Sequence, residues 1–303
     1  MNNNFEYCGD REAFRRFLTK NTDGRLCWSE KSVKGVLRSR GREVTMEHLE
    51  PNFIKMGRDD LRDIVEKALA PCAVINDVKH LAHMGDDTRI KGYIGEVAVQ
   101  RLYGCKESEF SYGRVGGQDF GEDVRVRGEA VNIKVTSRTV YLHKMSAAYV
   151  FNLREGDVLR GDHPDTLIYV FVHMCVRMLP RNQSGVSASP FPLKGNEGDK
   201  RIRARIVELR EMLARDGIPP VIGSLVRIQE AIKSDAYRGI VSDFQGIFKE
   251  LVVLGFVPRQ EVIAGQRGIL IPGGTPRENG SRVGDGFVVE VPIAELYPAW
   301  QAA

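Results

Sequence analysis

Between Asp119 and Arg138 the chain reads DFGEDVRVRGEAVNIKVTSR, in which valine and isoleucine alternate with polar residues on both sides of a glycine. Side chains of a strand alternate faces, and opposed residues of an antiparallel pair share a face. A hairpin turning at Gly128-Glu129 therefore sets Val126 against Val131, Arg125 against Asn132 and Asp123 against Lys134. Val124, Val126, Val131 and Ile133 form an apolar face fit for a core, and Asp123, Arg125, Asn132 and Lys134 share the other face. An acid, an amide and a lysine gathered in this way suit a cation held beside a phosphate. A surface hairpin with an ordinary polar face is the competing reading.

Two neighbouring features favour the chemical reading. Upstream, Ile94, Val97, Ala98 and Leu102 have the spacing of a helix with one buried stripe, and Glu96 lies beside that stripe. Gly92 and Gly95 cost this helix stability, so their presence points to a close backbone approach, with the sheet as the expected neighbour. Downstream, Thr136, Ser137 and Arg138 extend the lysine strand with hydroxyl and guanidinium donors suited to phosphate oxygens.

The order of these pieces, a helix with Gly-Glu96, then Gly-Gln-Asp119-Phe-Gly-Glu-Asp123, then a hairpin into Asn132-Ile-Lys134-Val-Thr-Ser, resembles the PD-(D/E)XK nuclease superfamily, type II restriction endonucleases in particular. The resemblance covers about residues 88 to 178. It implies that Asp123 is the first-strand aspartate, Lys134 the motif lysine and Glu96 the helix glutamate. It further implies a mixed central sheet flanked by helices, Mg²⁺ (with Mn²⁺ able to substitute) held by Asp123, Glu96 and Asp119, double-stranded DNA as substrate and a homodimer as the working unit. One position departs from the pattern: Asn132 stands where the family has Asp or Glu. A natural variant that draws its acid from Glu96, Asp119 or Glu122, and an engineered replacement of Asp by its amide, are both open readings.

Composition constrains the function less. A net charge of +4 favours an anionic partner only mildly, so a nucleic-acid footprint would be local. No apolar run is long enough to span a bilayer, and the polar start Met-Asn-Asn-Asn lacks the regions of a signal peptide, so the expectation is a cytoplasmic protein without membrane contact. The cysteines are odd in number and dispersed, which argues against a disulfide scaffold or a structural zinc site. His80 and His83 could share a helical face, but no further ligand lies near them in sequence.

The chain reads as an α/β protein in two parts: a helical N-terminal region over 1–84, and a nuclease core over 85–303 with a helical insertion at about 180–250. Helices are expected at Asp10 to Lys20, from Ser29 to near Gly41, Arg58 to Leu69, Asp199 to Ala214 and Gly223 to Lys249, and strands at Ala148 to Leu153, Thr166 to Met178, Leu251 to Val257, Gly268 to Ile271 and Gly286 to Val291. Arg201, Arg203 and Arg205 form the basic face of the first inserted helix. A solvated face is the commoner meaning of such a pattern, and DNA contact the sharper one. A Mg²⁺-dependent restriction-type endonuclease is the expected function; a repair or junction nuclease, or a silent DNA-binding protein of the same fold, is the alternative.

Overall fold

The computed structural model describes residues 53–74, 85–105, 123–126, 128–136, 150–159, 168–176, 197–274 and 287–299, together with the strand segments 18–20 and 26–28. The fold is α/β. In chain order its elements are β1 (Leu18–Lys20), β2 (Leu26–Trp28), β3 (Ile54–Lys55), α1 (Arg58–Ala73), α2 (Asp86–Tyr103), β4 (Val124–Val126), β5 (Glu129–Thr136), β6 (Val150–Arg154), α3 (Glu155–Leu159), β7 (Ile168–Val176), α4 (Glu197–Arg215), α5 (Leu225–Lys233), α6 (Arg238–Ile247), β8 (Phe248–Pro258), α7 (Arg259–Ile263), β9 (Ile269–Pro272) and β10 (Phe287–Pro292).

A mixed sheet of five strands in the order β3-β8-β7-β5-β4 forms the centre. Strands β5 and β7 run parallel, and the other neighbours are antiparallel. Parallel neighbours need a long crossover. Here that crossover contains β6 and α3, and β6 leaves the central sheet to pair with β10, which also pairs with β9. The expected strand at Ala148 to Leu153 is thus present as β6, in a second sheet of three strands, order β6-β10-β9.

The two faces of the central sheet carry separate cores. Val170, Val172 and Met174 of β7, Leu251 and Val253 of β8, and Val131 and Ile133 of β5 pack with α1, α2 and α4–α6. Tyr169 and Phe171 of β7, Val252 and Leu254 of β8, and Ala130 of β5 pack with Phe151, Leu153, Val289 and Val291 of the second sheet. The alternation follows from the two-residue period of a strand. A strand buried on both faces loses the polar alternation of a half-exposed one, which is why Ile168 to Val176 reads as a nearly continuous apolar run.

The helices at 197–247 are more than an appendage. Ile202, Ile206, Leu209 and Leu213 of α4, Ile228 and Ile232 of α5, and Ile240, Val241 and Phe244 of α6 lie in the same core as α1 and α2. The single helix expected from Gly223 to Lys249 is broken at Ser234, and its final residues, from Phe248, already belong to β8. Charged pairs fasten α4 to α2: Lys91 to Asp199 at 2.6 Å, Arg203 to Asp87 at 2.6 Å, and Arg210 to Asp86 at 3.0 Å. Arg210 also donates to the carbonyls of Cys72 and Ala73, satisfying acceptors at the end of α1.

The N-terminal expectation needs correction. Helix α1 is present and runs on to Ala73, but the C-terminal end of the helix expected at Asp10 to Lys20 is strand β1, paired antiparallel with β2. Apolar residues such as Leu18 and Leu26 fit either period in so short a run. Ile54–Lys55 adds an edge strand to the central sheet against β8. The helix expected from Ser29 to Gly41 lies outside the described residues, as do His80 and His83.

Candidate active site

The hairpin closes one step earlier than its sequence suggests. Val124 pairs with Val131, Arg125 with Ala130 and Val126 with Glu129, which puts Gly128 in the turn. Gly128 adopts φ +89°, a conformation that glycine takes without the penalty of a Cβ, and this sets the turn. Relative to the expected pairing, the partner of Val126 moves from Val131 to Glu129. Because strand faces repeat every two residues, that displacement leaves each side chain on its expected face and changes only what lies opposite. Val124, Val126, Val131 and Ile133 are buried together, as their pattern requires.

The changed neighbours tighten the polar cluster. Asp123 donates its N–H to the Val131 carbonyl at 2.8 Å, and its Oδ2 accepts the N–H of Ile133 at 2.5 Å. The aspartate therefore grips β5 on both sides of Asn132, instead of facing Lys134. Arg125 lies opposite Ala130, away from Asn132; it is exposed, and its guanidinium donates to the Gly128 carbonyl at 3.2 Å.

The polar face is also less open than a simple hairpin would make it. In the parallel register Asn132 stands beside Tyr169 and Lys134 beside Phe171, and both aromatic residues are fully buried under the second sheet. Asn132 itself keeps only 7% of its surface exposed. Lys134, at 24% side-chain exposure, sits at the rim of this apolar layer, where charges interact more strongly than in water.

At that rim the lysine meets a residue the sequence reading missed. Lys134 Nζ lies 2.7 Å from Oδ1 of Asp157 in α3. The other carboxylate oxygen of Asp157 accepts the Arg154 N–H at 2.9 Å, and its carbonyl accepts the Tyr169 hydroxyl at 2.6 Å. An acid three residues into a helix, reaching back to the N–H at its start, is a readable capping signal, and Arg154-Glu-Gly-Asp157 carries it. Its nearness to Lys134 could be foreseen only by knowing that β6 leaves the central sheet.

Glu96 lies on α2 beside Gly95, and Gly95 brings the helix against β5: a Cβ there would stand 2.2 Å from Val135 Cγ2. The expected close approach is thus made by Gly95, while a Cβ on Gly92 would meet nothing within 4 Å. Thr136 ends β5, half-buried. Asp119, Ser137 and Arg138 lie outside the described residues.

The arginine face of α4 has work inside the fold. Arg203 donates to Asp87 on α2, and Arg205 pairs with Asp243 on α6 at 2.6 Å and with Glu208 one turn on. Both guanidinium groups are held above their ordinary values, chiefly by the hydrogen bond from Arg203 to Asp87 and from Arg205 to Glu208. Arg201 is half-buried on the same helix.

Among the described residues no three His, Cys, Asp or Glu side chains cluster as a metal site. Mg²⁺ needs fewer protein ligands than that, since it is commonly bound through one or two carboxylates and completed by water and substrate phosphates. The Asp123 carboxylate and the Asn132 amide supply oxygen donors of the hard type it takes, so the residues fit such an ion. Compared with models of known protein families, with characterised proteins and with solved structures, the chain matches none.

Proposed function

We propose that this chain is a Mg²⁺-dependent endonuclease of double-stranded DNA, of the restriction type, with a restriction-endonuclease-like core. The observation that carries the reading is the grip of Asp123 on β5 at Val131 and Ile133, with Asn132 between them and Lys134 next along the same face. A carboxylate, an amide oxygen and an ammonium group held on adjacent strands suit a phosphodiester and the cation that accompanies it.

In this reading Asp123 holds the cation, aided by Glu96 and Asp119, and Asn132 contributes a neutral oxygen. Lys134 orients the attacking water and stabilises the negative charge that develops on the phosphate. When bound, Mg²⁺ supplies Lewis-acid stabilisation of that charge. Magnitudes favour using both: enzymes lower barriers by about 8–23 kcal/mol, and one well-placed donor contributes only about 3–4. Thr136, Ser137, Arg138 and Arg125 would contact the DNA backbone, and a homodimer would present one site to each strand. Arg201, Arg203 and Arg205 are weaker candidates for DNA contact, since two of them are already paired within the fold.

A DNA-binding protein of this architecture without cleavage is the second reading, favoured by the amide at position 132. Incubating plasmid DNA with the protein and Mg²⁺ or Mn²⁺, then sequencing the product ends, separates the possibilities. Defined ends at one sequence support the restriction reading. Cuts confined to branched or damaged DNA point to a repair or junction enzyme. Binding without cuts in either metal leaves the silent reading.

A further inference from the structure

The Lys134–Asp157 pair differs from an ordinary surface ion pair in how firmly the acid is held. Exposed pairs between two mobile side chains contribute little, because both must be ordered to meet. Asp157 is ordered already: Arg154 N–H binds its carboxylate at 2.9 Å and the fully buried Tyr169 binds its carbonyl at 2.6 Å. The next residue is fixed as well, since the Val158 carbonyl accepts Nε of the fully buried Arg259 at 2.9 Å. A short helix braced at successive residues presents one carboxylate oxygen to Lys134.

Charge gives the arrangement its meaning. On the β4–β5 hairpin face Asp123 and Lys134 cancel, and Asn132 adds no charge. Asp157, from a different element, supplies a second carboxylate within contact distance of the lysine. We propose that Asp157 is the positioning residue of Lys134 and a further acid of this site, fixing the ammonium group and adding negative charge where position 132 has none. This rests on the nuclease reading wherever cleavage is the readout.

Asp157→Asn isolates the role. The amide oxygen can still accept the Arg154 N–H, so the start of α3 is kept, while the amide NH₂ turned toward Lys134 offers a donor to a donor. In the full chain, kcat for plasmid cleavage should fall about tenfold or more with KM for DNA nearly unchanged. Adding Asn132→Asp, which returns an acid two residues from Lys134 on the same face, should recover most of the loss. A purely structural role at the start of α3 would not be rescued from position 132. Unchanged kcat in Asp157→Asn, or failure of the second substitution to recover it, would overturn the proposal.

A readout independent of cleavage keeps the two readings apart. Acetylation of Lys134 by acetic anhydride, followed by mass spectrometry, should be slower in the parent chain than in Asp157→Asn, and slow again in the double variant. Equal rates in all three would overturn the proposal even if the protein cuts DNA. If the parent chain cuts no DNA, the nuclease reading fails by itself and the acetylation rates decide whether Asp157 holds the lysine.

Discussion

The carboxylate of Asp123 accepts the backbone N–H of Ile133 at 2.5 Å, which makes the proposed metal-binding residue a structural clasp of its hairpin as well. The two roles separate by substitution. Asp123→Ala should lower stability by about 1–3 kcal/mol, because it leaves the Ile133 N–H at the edge of a core without its acceptor. Asp123→Asn keeps an acceptor and should cost much less. Urea unfolding of the two variants checks this, and equal losses would show that the clasp contributes nothing.

Helix α2 meets the sheet through a glycine. A Cβ on Gly95 would come within 2.2 Å of Val135 Cγ2 and 3.4 Å of Ile133 Cγ2. Gly95→Ala should therefore destabilise by about 1–3 kcal/mol, through a forced shift of α2 or β5. Gly92→Ala, with open space around it, should stabilise by up to about 1 kcal/mol through helix propensity. Thermal and urea unfolding of both variants would show the opposite signs.

Two arginines of α4 should behave differently. Arg210 makes a two-pronged contact with Asp86 and donates to two carbonyls at the end of α1. Its replacement by Ala should cost about 1.5–3 kcal/mol, and Lys, which lacks the planar fork, should not recover it. Arg203, 54% exposed, should cost far less than Arg210, and its loss should leave the salt dependence of DNA binding unaltered. A flatter salt dependence in Arg203→Ala would return that residue to the DNA interface.

Burial pushes the Cys72 thiol up to about 12, with the nearby Asp86 carboxylate adding to the effect. Iodoacetamide near neutral pH should therefore modify Cys72 only when the chain unfolds, whereas half-buried Cys105 should react sooner. The sign of the linked stability follows. The folded thiol ionises later than the unfolded one, so this contribution is complete below the ordinary value of 9.0 and is lost as pH rises from there toward about 12. Mass spectrometry of timed alkylation checks the first statement, and unfolding across alkaline pH in a Cys72→Ala comparison checks the second.

Periodicity made the hairpin faces, β7, α1, α2 and α4 legible, because each carries its burial pattern within a single element. It could not fix what lay opposite what. The turn falls earlier, at Gly128, and a two-residue displacement is invisible to face alternation while it bonds Asp123 to Val131 and Ile133, on either side of Asn132, instead of setting it against Lys134. Nor could it show that the polar face would be roofed by β6, β9 and β10, which converge from distant parts of the chain on Tyr169 and Phe171. Asp157 was missed for the same reason: local sequence marks it as a capping acid, and only the path of β6 brings it to Lys134.

In the proposed function Asp123 and Lys134 act together on a phosphodiester. Its most direct test is the Mg²⁺-dependent rate of plasmid cleavage by the parent chain, Asp123→Asn and Lys134→Ala, each first shown to be folded by its near-ultraviolet circular dichroism. The expected result is cleavage by the parent that chelation abolishes and added Mg²⁺ restores, with each variant slower by about 10²-fold or more. Cleavage by Asp123→Asn or Lys134→Ala at the parent rate would contradict it.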